Sequence, residues 1–177
     1  MGMSYLGIFR HGEYGAEATS PLNKYGERQV ILLRKGINDI LRHHQNPRIM
    51  MACGQYPRAY QSAWMINSDA TRIVMTVLTK GNWTPPDEEQ ALDLLERLER
   101  HTLAESASCV IIVGHGNSPA FLARAALRRQ GHPIPQMLEK TDVSKTACGY
   151  FVNIIQGKVS AVEVDTQQET WNVNPGS

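Results

Sequence analysis

This sequence lacks two features that mark large classes of protein: long apolar runs and an excess of charge of one sign. No apolar run approaches the roughly 20 residues of a membrane span, and residues 1–9 are too short and too uncharged for a secretory signal. The formal net charge is only +1, from 18 basic and 17 acidic residues, whereas a general nucleic-acid binder usually has a strong basic bias. We therefore expect a protein that binds neither a membrane nor nucleic acid.

Cysteine is also scarce. The three cysteines, Cys53, Cys109 and Cys148, lie in or beside apolar runs and form no C-x-x-C pair. An odd count without paired spacing indicates buried free thiols, and hence a reducing, cytoplasmic location. A nucleophilic cysteine is the alternative, but none of the three lies in a phosphate-loop pattern.

What is present fits one compact domain. The chain has 177 residues, of which 42% are hydrophobic, enough for a sizeable core. We expect a single domain over residues 1–177, with its core at about 4–164 and a loose polar tail at 165–177. No linker, internal repeat or low-complexity segment interrupts it.

Short apolar runs alternate with segments of helical periodicity. The runs predict strands at 5–9, 49–53, 73–78 and 109–113, and a hairpin that pairs 151–155 with 159–164. Helices are predicted at 22–41, at 58–67, from about 85, and at 119–130, with a surface loop at 131–146. This alternation predicts a three-layer α/β/α sandwich with a mostly parallel sheet and a C-terminal β-hairpin.

Two predicted strands end in similar sequences. The first is followed by Arg10-His11-Gly12-Glu13 and the fourth by Gly114-His115-Gly116-Asn117. Arg58 lies at the start of the helix that follows the second strand, where the helix N-terminus favours anions. Ligand sites in open α/β sheets form beyond the carboxyl ends of the strands, so these side chains should meet there.

The chemistry of this set suits phosphate. Arginine forks match phosphoryl oxygens and stay charged at neutral pH. Histidine can act as a nucleophile, an acid or a base. Phosphoryl transfer depends mainly on positioning and charge stabilisation, and two arginines beside two histidines can supply both.

Four segments in this order resemble the histidine phosphatase superfamily, the phosphoglycerate mutase-like group. They are Arg10-His11-Gly12-Glu13, Pro21-Leu22-Asn23-Lys24-Tyr25-Gly26, Pro57-Arg58-Ala59-Tyr60-Gln61-Ser62-Ala63 and Val113-Gly114-His115-Gly116. The resemblance spans about residues 4–164. The compact length and the C-terminal hairpin are most similar to short bacterial phosphohistidine phosphatases of the SixA type.

The resemblance implies a mechanism and a fold. His11 would attack phosphorus and become phosphohistidine, while Arg10, Arg58 and His115 hold the phosphoryl oxygens without a metal or other cofactor. Further substrate contacts are predicted at Gly12, Asn23, Gly116 and Asn117, although Gly12 could serve backbone geometry and Asn117 could be a helix N-cap.

The proton donor is where the sequence departs from the family. Larger members have a glutamate between the arginine segment and the last histidine, whereas here no carboxylate precedes Asp87 in residues 78–89. Glu88 and Glu13 are the candidate donors, with Glu88 ranked slightly higher. The alkoxide that leaves from a sugar phosphate gains much from a general acid, whereas the imidazole that leaves from phosphohistidine is expelled far more easily. A site without a dedicated acid therefore suits a substrate with a nitrogen–phosphorus bond.

Three functions follow from these residues. The first is dephosphorylation of phosphohistidine in a protein, with a histidine-containing phosphotransfer domain as partner. The second is a phosphatase or mutase for a small phosphorylated metabolite, with Lys80 and Lys140 as extra basic residues. The third is an inactive module that binds a phosphorylated ligand.

Taken singly, His11 could instead be a structural histidine and Arg58 could pair with a surface carboxylate. The four ordered segments favour the catalytic interpretation.

Overall fold

The structure is a computed structural model that describes residues 3–17, 19–44, 47–139 and 145–176. Within these ranges a seven-stranded sheet lies between two layers of helices. The strands are β1 (Tyr5–Arg10), β2 (Ile49–Cys53), β3 (Thr71–Val74), β4 (Cys109–Gly114), β5 (Gly149–Asn153), β6 (Lys158–Asp165) and β7 (Thr170–Pro175). The α-helices are α1 (Lys24–Arg42), α2 (Pro57–Ile66), α3 (Glu88–Ala104) and α4 (Ser118–Arg129).

The strand order is β3-β2-β4-β1-β5-β6-β7. The first four of these strands pair in parallel, and the pairs from β1 to β7 are antiparallel. Five strands, β1 to β4 and β6, therefore run in one direction. This confirms the predicted α/β sandwich with its C-terminal hairpin.

Alternate side chains of the central strands face opposite helical layers, as the period of a strand requires. Phe9, Met51 and Val113 pack in the cluster that also holds the apolar residues of α1 and α2. Ile8 and Ile112 pack in the other cluster, with α3 and α4. Every residue of β4 is buried, as expected for a central parallel strand covered on both faces.

Two predicted elements were wrong in detail. The third strand stops at Val74, and a 3₁₀ turn follows at Thr76–Thr79. This turn directs the side chain of Leu78 into the core, where Leu78 has no exposed surface. The tail after residue 165 is not loose, since β7 pairs with β6 from Thr170 to Pro175. In this strand partly buried residues alternate with exposed ones, as in a strand covered on one face.

The segment predicted as a surface loop, 131–146, contains a 3₁₀ turn at Gln136–Leu138, and Leu138 is fully buried. Residues 140–144 of that segment, including Lys140, lie outside the described residues. Within the described ranges, no helix is long and apolar enough to cross a membrane.

Candidate active site

The predicted catalytic side chains meet because β2, β4 and β1 are adjacent and parallel. Arg10 pairs with Gly114 at the ends of β1 and β4, and Cys53 pairs with Val113. His11 and His115 therefore leave neighbouring strands at the same edge. Their rings lie 4.6 Å apart between centroids, and both residues are buried.

Hydrogen bonding defines the tautomer of His11. Its Nδ1 lies 2.6 Å from the carbonyl oxygen of Gly12, and because a carbonyl can only accept, Nδ1 must hold the proton. The neutral ring therefore has its lone pair on Nε2. Arg58 Nε donates to this nitrogen at 3.1 Å, so Nε2 faces the cationic side of the site.

Arg58 links the two histidines. Its Nη2 lies 3.5 Å from His115 Nδ1, while its Nε contacts His11. It is only 6% exposed, although it stands in the first turn of α2. Arg10 ends β1, and its charge acts on the pKa of both histidines. The structure thus brings together all four residues predicted to act on phosphate.

Both histidines are neutral at physiological pH in the ligand-free site. Burial lowers the pKa of His11 to about 3, and the charges of His115, Arg58 and Arg10 act in the same direction against the hydrogen bond to Gly12. Burial, followed by the charges of Arg58 and Arg10, lowers the pKa of His115 to about 4. The positive charge of the site therefore comes from the arginines until an anion is bound.

The loop after His11 is fastened by side chains from two helices. Gly12 N donates to Ser62 Oγ at 3.2 Å, and Glu13 N donates to Gln29 Oε1 at 2.8 Å. A Cβ on Gly12 would lie 2.5 Å from the carbonyl oxygen of Gly26, so the loop and α1 approach too closely for a side chain. Gly12 therefore shapes the loop, and its N–H and carbonyl are both engaged within the protein.

Asn23 also holds this loop. Its Oδ1 caps α1 by accepting from Gly26 N at 2.7 Å, and its Nδ2 donates to Tyr14 O at 3.1 Å. Both ends of the amide thus join the helix and the loop, and the substrate contact of Asn23 stays a prediction.

Asn117 is hydrogen-bonded within the protein in a similar way, and its substrate contact likewise stays a prediction. Its Oδ1 accepts from Trp83 N at 2.7 Å, and its Nδ2 donates to Trp83 O at 2.8 Å and to Asn82 Oδ1 at 3.3 Å. It stands at the N-cap of α4 but makes no side-chain cap bond. Asn117 therefore holds the 82–83 segment beside the site.

Gly116 has a φ of +52°, and a Cβ there would lie 1.5 Å from Gly81 O. This turn after His115 therefore needs glycine for its backbone conformation and for its contact with the 81–83 segment. A substrate contact by Gly116 remains a prediction.

The carboxylates near the site are already paired or exposed. Asp87 forms an ion pair with Lys80 and accepts from Thr84 N and Oγ1, and the hydrogen bond from Lys80 is the main cause that lowers the pKa of Asp87 to about 2. Glu88 binds Arg128 at 2.9 Å, and Glu13 is exposed. Among the described residues, neither predicted donor, Glu88 or Glu13, is hydrogen-bonded or ion-paired with His11 or His115.

A cavity of about 590 Å³ lies beside this segment, between residues 82–88 and α4. Its described lining includes Trp83, Glu88, Asn117, Phe121 and Arg124. The four predicted phosphate-binding residues do not line this cavity among the described residues.

Two residues that sequence reasoning missed stand against Arg58. The guanidinium carbon of Arg58 is 4.1 Å from the ring centroid of Tyr14 and 4.8 Å from that of Tyr56. Their positions, three residues after His11 and two before Arg58, were the available signal. Neither position belongs to a periodic pattern, so the contact with one arginine became visible only in the fold.

The competing chemistries find less support. The cysteines are all buried free thiols, and burial raises the pKa of Cys53 and Cys148 to about 11, so their thiols stay protonated at neutral pH. Over the described parts of the chain, no group of three or more His, Cys, Asp or Glu side chains could share a metal ion.

No protein-family model and no curated protein sequence matches the chain. Solved structures do match. A protein histidine phosphatase SixA complexed with tungstate is 16% identical with a TM-score of 0.52, over 98% of this chain and 96% of that chain. A mycobacterial glucosyl-3-phosphoglycerate phosphatase complexed with VO₃ is 15% identical with a TM-score of 0.54, over 96% and 97%. An alpha-ribazole phosphatase from Shigella flexneri is 16% identical with a TM-score of 0.51, over 97% and 95%.

These matches cover nearly the whole chain, so the protein has the fold of the histidine phosphatase superfamily, the phosphoglycerate mutase-like fold. The resemblance predicted from the four sequence segments is thereby confirmed at the level of the fold. Proteins named for a protein phosphohistidine substrate and for small metabolites share it, and the fold leaves the substrate open.

Proposed function

We propose that this protein is a phosphatase that transfers a phosphoryl group to His11 Nε2 and releases it to water, with phosphohistidine in a protein as its substrate. One observation carries the proposal: the proton of His11 is fixed on Nδ1 by Gly12 O, which leaves the Nε2 lone pair at the arginine side of the site. Such a neutral imidazole is a nucleophile that needs no separate base.

The reaction has two displacements. In the first, the lone pair of His11 Nε2 forms a bond to phosphorus while the bond from phosphorus to the leaving nitrogen breaks, and the leaving imidazole takes a proton from solvent. In the second, water bonds to phosphorus, the Nε2–P bond breaks, and inorganic phosphate leaves. Gly12 O continues to accept from Nδ1 throughout and stabilises the positive charge that develops on the ring.

Arg58 has to change partners when the phosphoryl group binds. In the ligand-free site its Nε donates to the His11 lone pair, which the incoming phosphorus needs. Phosphoryl oxygens are stronger acceptors for a guanidinium, so Arg58 and Arg10 would turn their N–H groups to them. The anion would also raise the pKa of His115, which could then donate a hydrogen bond to the phosphoryl group.

The pairing of the nearby carboxylates favours an N–P substrate. Asp87 is held by Lys80 and Thr84, and Glu88 is held by Arg128. Asp87, with its lowered pKa and its cationic partner, is a poor proton donor, and the carboxylate of Glu88 is engaged with Arg128. The imidazole of a phosphohistidine needs less help from a proton donor to leave than the alkoxide of a sugar phosphate does. A cytoplasmic phosphotransfer protein would supply such a phosphohistidine.

A small phosphorylated metabolite is the second candidate. The cavity of about 590 Å³ next to Asn117 is within the usual size range of small-molecule sites, and Arg124 and Arg128 add positive charge to its lining. Lys80, one of the two predicted metabolite-binding lysines, is occupied by Asp87.

The deciding experiment compares kcat/KM for a phosphohistidine-bearing phosphotransfer domain with kcat/KM for a panel of sugar phosphates and an aryl phosphate. We expect the phosphoprotein to be the best substrate by at least about tenfold, because an imidazole can leave without a dedicated general acid, whereas an alkoxide leaves slowly without one. A sugar phosphate that is turned over faster would contradict the substrate assignment and favour the metabolite enzyme.

A control experiment tests whether Glu88 acts as a general acid. Glu88→Gln should change turnover of the phosphoprotein by less than about threefold, as should the exposed neighbour Glu89→Gln, since neither donates a proton. A loss of a hundredfold or more in Glu88→Gln alone is the size expected for a general acid, and it would place Glu88 in the reaction.

A further inference from the structure

Arg58 lies between two tyrosine rings. Its guanidinium carbon is 4.1 Å from the centroid of Tyr14 and 4.8 Å from the centroid of Tyr56. Both distances are within the roughly 6 Å at which a cation is attracted to an aromatic face. The two rings come from different parts of the chain, one from the loop after β1 and the other from the N-cap of α2.

Each tyrosine also contacts one of the histidines. Tyr14 meets His11 edge-on with 5.3 Å between ring centroids, and Tyr56 meets His115 edge-on at 5.4 Å. Since the two histidine rings are 4.6 Å apart, the four rings form a chain in the order Tyr14, His11, His115, Tyr56, and Arg58 contacts all four of them. A shift of either tyrosine would therefore disturb the arginine and one histidine together.

The tyrosines are themselves held by the backbone. Tyr14 O accepts from Asn23 Nδ2, and Tyr14 forms a bridge with Leu22. Tyr56 O accepts from the N–H groups of Ala59 and Tyr60 in the first turn of α2. The backbone from which each ring projects is therefore anchored next to Arg58.

An aromatic wall suits a phosphate-binding arginine better than a carboxylate would. A carboxylate would take up N–H groups of the guanidinium and repel the phosphoryl anion. The face of a phenol ring attracts the guanidinium without accepting its N–H groups in the plane and without adding a full negative charge. The two rings therefore hold the guanidinium without taking up the N–H groups that a phosphoryl group would need.

We propose that Tyr14 and Tyr56 are positioning residues that clamp the Arg58 guanidinium in the plane required for the phosphoryl group. This inference rests on the proposed function, because it assigns the clamp to the same phosphate site. It predicts that the aromatic ring is what matters and that the phenol hydroxyl is dispensable.

The test uses ring-removing and ring-keeping variants of each tyrosine. Tyr14→Leu and Tyr56→Leu should each lower kcat/KM for an aryl phosphate about tenfold and weaken the binding of inorganic phosphate by a similar factor. Tyr14→Phe and Tyr56→Phe should stay within about twofold of the wild type. Tyr60→Leu is the matched control, because Tyr60 stands on the same helix with Arg72 5.9 Å from its ring, yet is 45% exposed.

A double-mutant cycle separates positioning from a general loss of structure. With Arg58→Ala as background, Tyr14→Leu and Tyr56→Leu should each cause a further loss of less than about threefold, because the group that they chiefly hold is gone and only their edge contacts with the histidines remain. Additive losses, or Phe variants as impaired as the Leu variants, would overturn the clamp. A wild type that binds and hydrolyses phosphate esters while the Leu variants match it would overturn the clamp alone; a wild type that does neither would overturn the proposed function as well.

Discussion

A buried histidine without an anionic partner is unusual, because burial opposes its charged form and leaves it neutral. Here His11 and His115 are 2% and 3% exposed and lie beside Arg58, so their pKa values fall well below the ordinary value. For a nucleophile the consequence is favourable, since His11 Nε2 stays unprotonated across the physiological pH range. The same burial prepares the site for an anion, which would relieve the repulsion among its cationic groups.

The nucleophile can be tested directly by replacing the imidazole. His11→Ala should lower hydrolysis of an aryl phosphate by about three orders of magnitude or more, because it removes the imidazole that forms the bond to phosphorus. Steady-state kinetics measures the loss, and circular dichroism verifies that the fold is kept.

His43→Ala serves as the control, because His43 is exposed at the C-terminus of α1 and should leave turnover unchanged. Wild-type turnover in His11→Ala would exclude His11 as the nucleophile.

At the scale of elements, the loop after β1 and helix α1 fit together through glycine. A Cβ on Gly26 would lie 1.9 Å from Glu13 O, just as one on Gly12 would strike Gly26 O. The two segments are thus in backbone contact, and Ser62 and Gln29 add hydrogen bonds from α2 and α1. This contact holds the backbone of the loop directly after His11 in one position.

The edge strand β7 is the second element that sequence reasoning undervalued. Trp171 Nε1 donates to Asp39 Oδ2 at 2.7 Å, and its ring lies against Gly36 of α1. Helix α1 is therefore held in place by β7 as well as by the loop after β1.

Trp171→Ala should lower the free energy of unfolding by about 2 kcal/mol, because it removes a half-buried ring and a charge-assisted hydrogen bond. Urea denaturation measures the change. Trp64→Ala is the matched variant, since Trp64 is 53% exposed and should cost less than about 0.5 kcal/mol. Equal effects from the two substitutions would mean that β7 contributes little to stability.

For the whole molecule, the site exists because the sheet order places β4 between β2 and β1. Residues separated by 47 positions, His11 and Arg58, come within hydrogen-bond distance as a result. Two neutral histidines are thereby buried together, and this has a consequence for the stability of the entire fold.

The unfolded chain binds more protons than the folded protein at pH values between the folded pKa of each histidine, about 3 or 4, and the ordinary 6.5. Stability is therefore retained above the ordinary pKa and falls as the pH drops below it. Between pH 7 and pH 5 we expect a loss of about 1–2 kcal/mol for each of the two histidines.

Urea denaturation at both pH values tests this expectation. The double variant His11→Gln/His115→Gln should lose clearly less stability on acidification than the wild type, while His43→Gln should lose as much as the wild type. Equal losses in the wild type and the double variant would contradict the assignment of neutral buried histidines.

Particular residues show how far the sequence could lead. The strand ends before His11 and His115 were visible because each apolar run is followed by a histidine and then a glycine. The four ordered segments indicated the fold. Residues 76–78 were misassigned because apolar, β-branched composition suits a strand and a buried 3₁₀ turn equally well. The hydrogen bonds of Asn23 and Asn117 could not be predicted, because their partners, Tyr14 O and the backbone of Trp83, lie elsewhere in the chain.

By itself, the sequence determined the α/β architecture and the four side chains that meet at the edge of the sheet, because periodicity and strand ends are local properties of the chain. Only the tertiary structure decided which nitrogen of His11 holds the proton, which carboxylates are already paired, and which rings enclose Arg58. These depend on distances between residues far apart in sequence, and hydrogen bonds and electrostatic interactions change with distances of a few ångströms that no sequence pattern specifies.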